Sequence, residues 1–310
     1  MHCANRLWTW TLGFAIAALT GVSARADDAT IALQAALDRS GFSAGIIDAK
    51  PGRKTRIGLT AFQTARGIPA SGELDARTRA ALRLDDMPTL MTYTLTAADL
   101  KDVGGPVPDD WNRRAALDRL RYESLAALLG ERGHCTRDLV VALNPSKRIE
   151  SLVAGDSLRI PNVCIEPDSI EAAALEVDLG EKLVRAVDAQ NRTLLLFHCS
   201  IAAFAEKRPR GAAEVAVVAP DPEYTFRPEM WPEVHNVSAP LQIPAGPRNP
   251  VGLCWIGLTL PGYGIHGTPN PELIGKTGSH GCIRLANWDA VRLGRAARVG
   301  MPVRFIDATP

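Results

Sequence analysis

Charge of one sign is scarce in this chain: 35 basic side chains stand against 34 acidic ones, a net of +1. So even a balance leaves no electrostatic footprint for nucleic acid and no polybasic patch for a membrane surface. Long apolar runs are scarce too. Beyond residues 1–26, none approaches the roughly 18 apolar residues that a membrane span needs. No phosphate-binding loop and no dinucleotide fingerprint occurs, so no cofactor is implied. His266, His280 and Cys282 are metal donors in principle. His280 and Cys282 stand only two apart, however, which is neither zinc-knuckle nor helical His-pair spacing, and no metal is assigned.

What is present begins with size. At 310 residues and 46% hydrophobic composition, the chain can bury more than one core, and two or three domains are expected. Residues 1–26 carry Arg6, an apolar stretch through Leu12, Phe14, Ile16 and Leu19, and the small-residue exit Ala24-Arg25-Ala26. This reads as a secretory signal, which implies export to the periplasm or cell envelope. Without it, 33 of the 35 basic side chains remain against 34 acidic ones. Five cysteines also remain: Cys135, Cys164, Cys199, Cys254 and Cys282. In an oxidising compartment an odd count leaves one thiol over. Cys282 is the expected leftover, with Cys135–Cys164 and Cys199–Cys254 as the guessed bridges and buried reduced thiols as the alternative.

The 28–84 stretch shows three short amphipathic helices punctuated by glycine. Leu33 and Leu37 share a face before Gly41; Thr55 is a candidate cap for Leu59 and Phe62 before Gly67; Asp75 is one for Thr78 and Leu82. Residues 85–115 hold the run Gly104-Gly105-Pro106-Val107-Pro108 and read as a linker. Over 116–165 come a stripe of Leu125, Leu128 and Leu129, a helix capped at Thr136 with Leu139 and Leu143, the turn Asn144-Pro145, and a strand Ser157 to Ile160 closed by Pro161. From 168 to 310 the period turns strand-like: Ala174 to Val177, Leu194 to Phe197, Glu214 to Val218, Cys254 to Leu260 and Val303 to Ile306, with a helix capped by Asn287 or Asp289 before the last. The proline-rich tract 219–250 is too long for a hairpin loop and is expected to border a substrate groove.

The chemistry concentrates in Ile265-His266-Gly267-Thr268 and Ser279-His280-Gly281-Cys282-Ile283-Arg284-Leu285. These supply a thiol, an imidazole and glycine-flanked amides, the parts cysteine acyl transfer requires. A free thiol is only about 3% thiolate at pH 7, so Cys282 as nucleophile needs His266 as base. The backbone N–H groups of His280, Gly281 and Cys282 are candidate oxyanion donors, each worth about 10²- to 10³-fold in rate. Arg284 either holds a carboxylate or braces the turn, Ser279 hydrogen-bonds the turn, and Tyr263 either lines the site or packs.

Together with Pro269 to Lys276 between them, these two segments resemble the signature of the L,D-transpeptidase (YkuD-type) catalytic domain. The Gly41-to-Thr78 pattern resembles a three-helix peptidoglycan-binding domain, with Ala49 where that family usually has glycine. The 116–165 unit resembles a LysM-type glycan-binding module; a plain structural spacer needs the same stripes. The resemblance implies a multidomain α+β chain: a small three-helix N-terminal domain, a LysM-like α/β module and a mostly antiparallel β catalytic domain of the L,D-transpeptidase β-sandwich kind. It also implies that a backbone carbonyl near Gly267 orients His266, that Cys282 attacks a stem tetrapeptide at the L-centre of its diamino acid with release of D-alanine, and that an amine then takes the acyl group. Peptidoglycan stem peptides and glycan are the implied partners, and covalent trapping of Cys282 by carbapenems is a further implication. A Cys-dependent L,D-carboxypeptidase or cross-link hydrolase would use the same residues. A non-catalytic wall-binding scaffold would not need them.

Overall fold

Residues 20–163, 170–231, 233–278 and 281–306 are described by a computed structural model. Helix α1 (Thr20–Arg39) starts inside the stretch assigned to the signal, whose residues 1–19 lie outside the described ones. With α2 (Arg53–Ala65) and α3 (Ala76–Ala81) it builds the N-terminal unit. Leu37, Leu59, Phe62 and Leu82 close its core, and full burial of one such side chain contributes about 1.5–3 kcal/mol. The Asp75 carboxylate accepts from the Thr78 N–H at 2.7 Å and caps α3. Thr55, in contrast, does not cap α2: the N-cap is Gly52, and Thr55 is buried inside the first turn. Ala49 takes a left-handed φ of 61°, the conformation that the family's glycine would adopt at no steric cost.

The tract read as a linker is structured. It carries strand β1 (Leu90–Thr94) and helices α4 (Ala97–Lys101) and α5 (Trp111–Ala115). Next come α6 (Leu125–Arg132), α7 (Arg137–Leu143) and β2 (Ser157–Pro161), with β1 pairing antiparallel to β2 from Leu90–Pro161 to Thr94–Ser157. Thr136 caps α7, and Asn144 ties its end to β2 through the Arg159 backbone at 2.8 Å in both directions. Leu125, Leu128, Leu129, Leu158 and Ile160 share a core with Ile31 and Ile47 of the N-terminal unit. The first strand of this unit is therefore supplied by the tract read as a linker.

The C-terminal part contains β3 (Ala174–Asp178), β4 (Leu183–Val187), β5 (Thr193–His198), β6 (Ala212–Pro220), β7 (Tyr224–Phe226), β8 (Leu241–Ile243), β9 (Cys254–Leu258), β10 (Gly264–His266), β11 (Ile283–Arg284), α8 (Asn287–Ala296) and β12 (Pro302–Ile306). Eight strands join in the order β11-β10-β9-β6-β12-β3-β4-β5, parallel at β10–β11 and β12–β3 and antiparallel at the other pairings. A bridge between Ser200 and Arg284 brings the two ends together. The eight strands thus form one continuous hydrogen-bonded order, joined through β6, which pairs with β12 on one side and β9 on the other. Helix α8 has Ala286 at its N-cap without a side-chain bond, so neither Asn287 nor Asp289 caps it; both are buried.

The N-terminal unit packs directly on the sheet, with Leu183 and Leu196 inside its core. Gly41 makes that approach possible. Its φ is +84°, and a Cβ there would lie 2.5 Å from Leu195 Cδ2.

Candidate active site

Strands β9, β10 and β11 carry the site at one end of the sheet order. The register sets His266 opposite Trp255 on β9 and opposite Arg284 on β11. Continued back by one residue, the parallel register sets Cys282 beside Gly264. Alternation then puts Cys282, Arg284, Gly264, His266 and Trp255 on one face, where diagonal neighbours stand about 7–8 Å apart, within reach of long side chains. The Trp255 ring stacks on the His266 ring at 5.5 Å and 27°. It lies over Gly264, where a Cβ would meet the indole at 2.4 Å, so a side chain at 264 would displace the ring that supports the imidazole.

His266 Nδ1 is 2.6 Å from the Gly267 carbonyl oxygen. A backbone carbonyl only accepts, so Nδ1 donates, and Nε2 of the neutral ring holds the free lone pair. Burial pushes His266 down to about 4, opposed by the Gly267 bond and assisted by the Arg284 charge. The imidazole is therefore neutral near pH 7. Gly267 is itself fixed: its N–H donates to Cys254 O at 3.1 Å, and a Cβ would come within 2.3 Å of Asn287 Oδ1.

Cys282 is half-buried, and its thiol donates toward Gly262 O at 3.6 Å. Burial raises its pKa above the ordinary thiol value, while the Gly264 amide and the Arg284 charge pull the other way. Thiol and imidazole thus rest as a neutral pair. The chemistry open to such a pair is proton transfer concerted with attack, rather than attack by a standing thiolate.

The other candidates divide. Arg284 is half-buried, with Nη1 3.5 Å from Gly278 O. The Tyr263 hydroxyl donates to Lys207 O at 3.1 Å, and its ring lies 3.7 Å from the Cβ position of Gly281. Ser279 and His280 lie outside the described residues. The guessed bridge between Cys199 and Cys254 is absent: each is a separate buried thiol. Burial raises both, Cys254 to about 11. Cys199 directly follows β5, whereas Cys254 Sγ packs against Gly294 of α8, so the parity of cysteines gave way to burial in the core. Cys135 is likewise a free buried thiol, and Cys164 lies outside the described residues.

Two neighbours of the pair carried no sequence signal as site residues. Trp255 is one: by sequence it is simply part of the apolar strand Cys254–Leu258. Asn287 is the other: its Oδ1 accepts from Leu253 N at 3.2 Å, and its Nδ2 donates to Pro247 O at 3.2 Å.

Residues 172–305 match the YkuD family, the L,D-transpeptidase catalytic domain. The chain carries an L,D-transpeptidase catalytic domain. Residues 26–82 match a peptidoglycan binding domain. Among relatives, the protein named Probable L,D-transpeptidase YbiS in Escherichia coli is 32% identical over 158 residues, covering 49% of this chain and 50% of that protein. A candidate L,D-transpeptidase, YkuD, of Bacillus licheniformis is 29% identical over 158 residues, covering 51% of this chain and 79% of that one. The chain thus spans about half the length of the Escherichia coli relative. Among solved structures, an L,D-transpeptidase from Xylanimonas cellulosilytica is similar at 16% identity and a TM-score of 0.36, covering 90% of this chain and 93% of that one.

Proposed function

We propose that this protein is a peptidoglycan L,D-transpeptidase in which Cys282 is the nucleophile and His266 the base. The observation that carries the reading is the His266 Nδ1 to Gly267 carbonyl bond of 2.6 Å, which leaves Nε2 free on the sheet face that Cys282 shares. As the sulfur attacks the amide carbonyl at the L-centre of the diamino acid, the thiol proton passes to Nε2. The tetrahedral oxyanion is met by backbone amides of the His280-Gly281-Cys282 turn, where a preorganised donor lowers the barrier. Collapse breaks the C–N bond, His266 returns the proton to the departing D-alanine amine, and a thioester remains. An acceptor amine attacks that thioester and His266 takes its proton, so the thiol is regenerated with a new amide bond.

Burial keeps the imidazole neutral, the Arg284 charge adds to that effect, and Arg284 braces the turn. Tyr263 forms part of the wall beside Gly281. The N-terminal domain, and the 116–165 unit as a LysM-like glycan binder, tether the enzyme to the wall and raise the local concentration of stems. A substrate of this kind puts the working protein outside the cytoplasm, which residues 1–26 serve as an export signal.

The test is the mass spectrum of products from purified disaccharide tetrapeptide, with and without an added amine. Loss of D-alanine with a new amide only when amine is present supports transfer. Loss of D-alanine to water alone, unaffected by amine, assigns the chain to the hydrolases.

A further inference from the structure

The proline-rich insertion of residues 219–250 is not held by the catalytic sheet alone. Its hairpin of β7 and β8 has a small core of Leu120, Phe226, Val237 and Ile243, and Leu120 belongs to the arm that runs from α4 to α6, outside the catalytic domain. The Trp111 ring of α5 stacks on Phe226 at 4.1 Å and 24°, and lies 6.3 Å from Tyr224 and 6.1 Å from Trp231. The backbone is joined as well: Leu120 N donates to Ala245 O at 2.9 Å, and Arg248 N donates to Leu120 O at 3.0 Å. Gly246 permits this, because a Cβ there would stand 2.4 Å from Leu120 O. Arg119 reaches the other end of the insertion, pairing with Asp221 at 2.6 Å. Both ends and the centre of the insertion are therefore gripped by one segment from outside the catalytic domain.

Tyr224, on the first strand of that hairpin, lies within electrostatic reach of both Cys282 and Arg284, and burial raises its hydroxyl pKa. We infer that Trp111 is a positioning residue for the active site: by stacking on the hairpin it fixes Tyr224 as the wall against which the acyl donor lies beside Cys282. The inference rests on the reading of Cys282 as the acylated residue. The physical reason is leverage. A three-residue strand such as β7 has too few ladder bonds to set a side chain by itself, whereas aromatic packing adds about 0.5–1.5 kcal/mol per ring pair beyond burial.

The experiment uses the full chain with tetrapeptide donor, follows acylation, and separately follows alkylation of Cys282 by iodoacetamide with peptide mapping. Trp111→Ala is expected to raise KM on the order of tenfold, inside the hundredfold that a ~1 Å misplacement can cost, with alkylation changed by less than roughly twofold. Trp111→Phe is expected to restore most of the loss. Tyr224→Ala should match Trp111→Ala, and the double variant should be no worse than either, because residues acting through one path are not additive. Unchanged KM in Trp111→Ala, multiplying losses in the double variant, or alkylation falling in step with acylation each overturns the inference. If the wild-type chain forms no thioester, the functional reading falls instead. Hydrogen exchange over residues 219–250 then tests the packing separately: faster exchange in Trp111→Ala upholds the grip of Trp111 on the hairpin, and unchanged exchange overturns that grip and the inference with it.

Discussion

The strands that bear His266 and Cys282 and the hairpin that faces them are built in opposite ways. The first is local. His266, Gly267 and Cys282 come from segments less than twenty residues apart, and short backbone bonds set their geometry: His266 to Gly267 at 2.6 Å and Leu285 N to His266 O at 2.8 Å. The second is assembled at long range. Tyr224 is held through Phe226 and Trp111, and Trp111 lies more than a hundred residues upstream in the chain. Chemistry that tolerates little displacement is built into neighbouring backbone. The wall that selects what approaches is hung on side chains from elsewhere, where substitution shifts it without unmaking the reactive pair.

Substitutions that break the local region should cost most. Cys282→Ala is expected to abolish D-alanine release while circular dichroism and melting temperature hold; release at the wild-type rate would sink the assignment. His266→Ala should slow acylation by about 10²- to 10⁴-fold, the range for a lost general base, checked by stopped-flow acylation with a carbapenem. Next comes Asn287→Ala. It strands the Leu253 N–H and removes the amide behind Gly267, which should cost about 1–3 kcal/mol in chemical denaturation. It should also slow acylation.

The pH profile sharpens the same side of the comparison. His266 must be neutral to accept a proton, and burial lowers it to about 4. The acid limb of kcat/KM should therefore fall near pH 4 rather than near the ordinary histidine value. Cys282 is raised, so its alkylation should climb only above the usual thiol range. An acid limb at ordinary histidine pH would show that the ring is solvated in the working enzyme.

The two regions also differ in how far they can be read from sequence. Residues 265–268 and 279–285 announce a thiol and an imidazole because the residue types and the glycines are themselves the chemistry. Strands such as β3 and β12 follow from alternation. Strand β4 escaped notice because Leu183, Val184, Ala186 and Val187 are all buried, which removes the alternation a half-buried strand would show. The arm was read as a linker because Gly104, Gly105, Pro106 and Pro108 dominate its composition; nothing local says that Trp111 has Phe226 to stack on. Asn287 was legible only as a helix cap, since its bonds to Leu253 and Pro247 depend on the folded loop.

The most direct test of the central claim is peptide mapping of the protein quenched during turnover of the tetrapeptide. The account predicts an acyl mass gain, equal to donor less D-alanine, on the peptide containing Cys282. The same adduct on any other residue, or turnover with Cys282 unmodified at every time point, would contradict it.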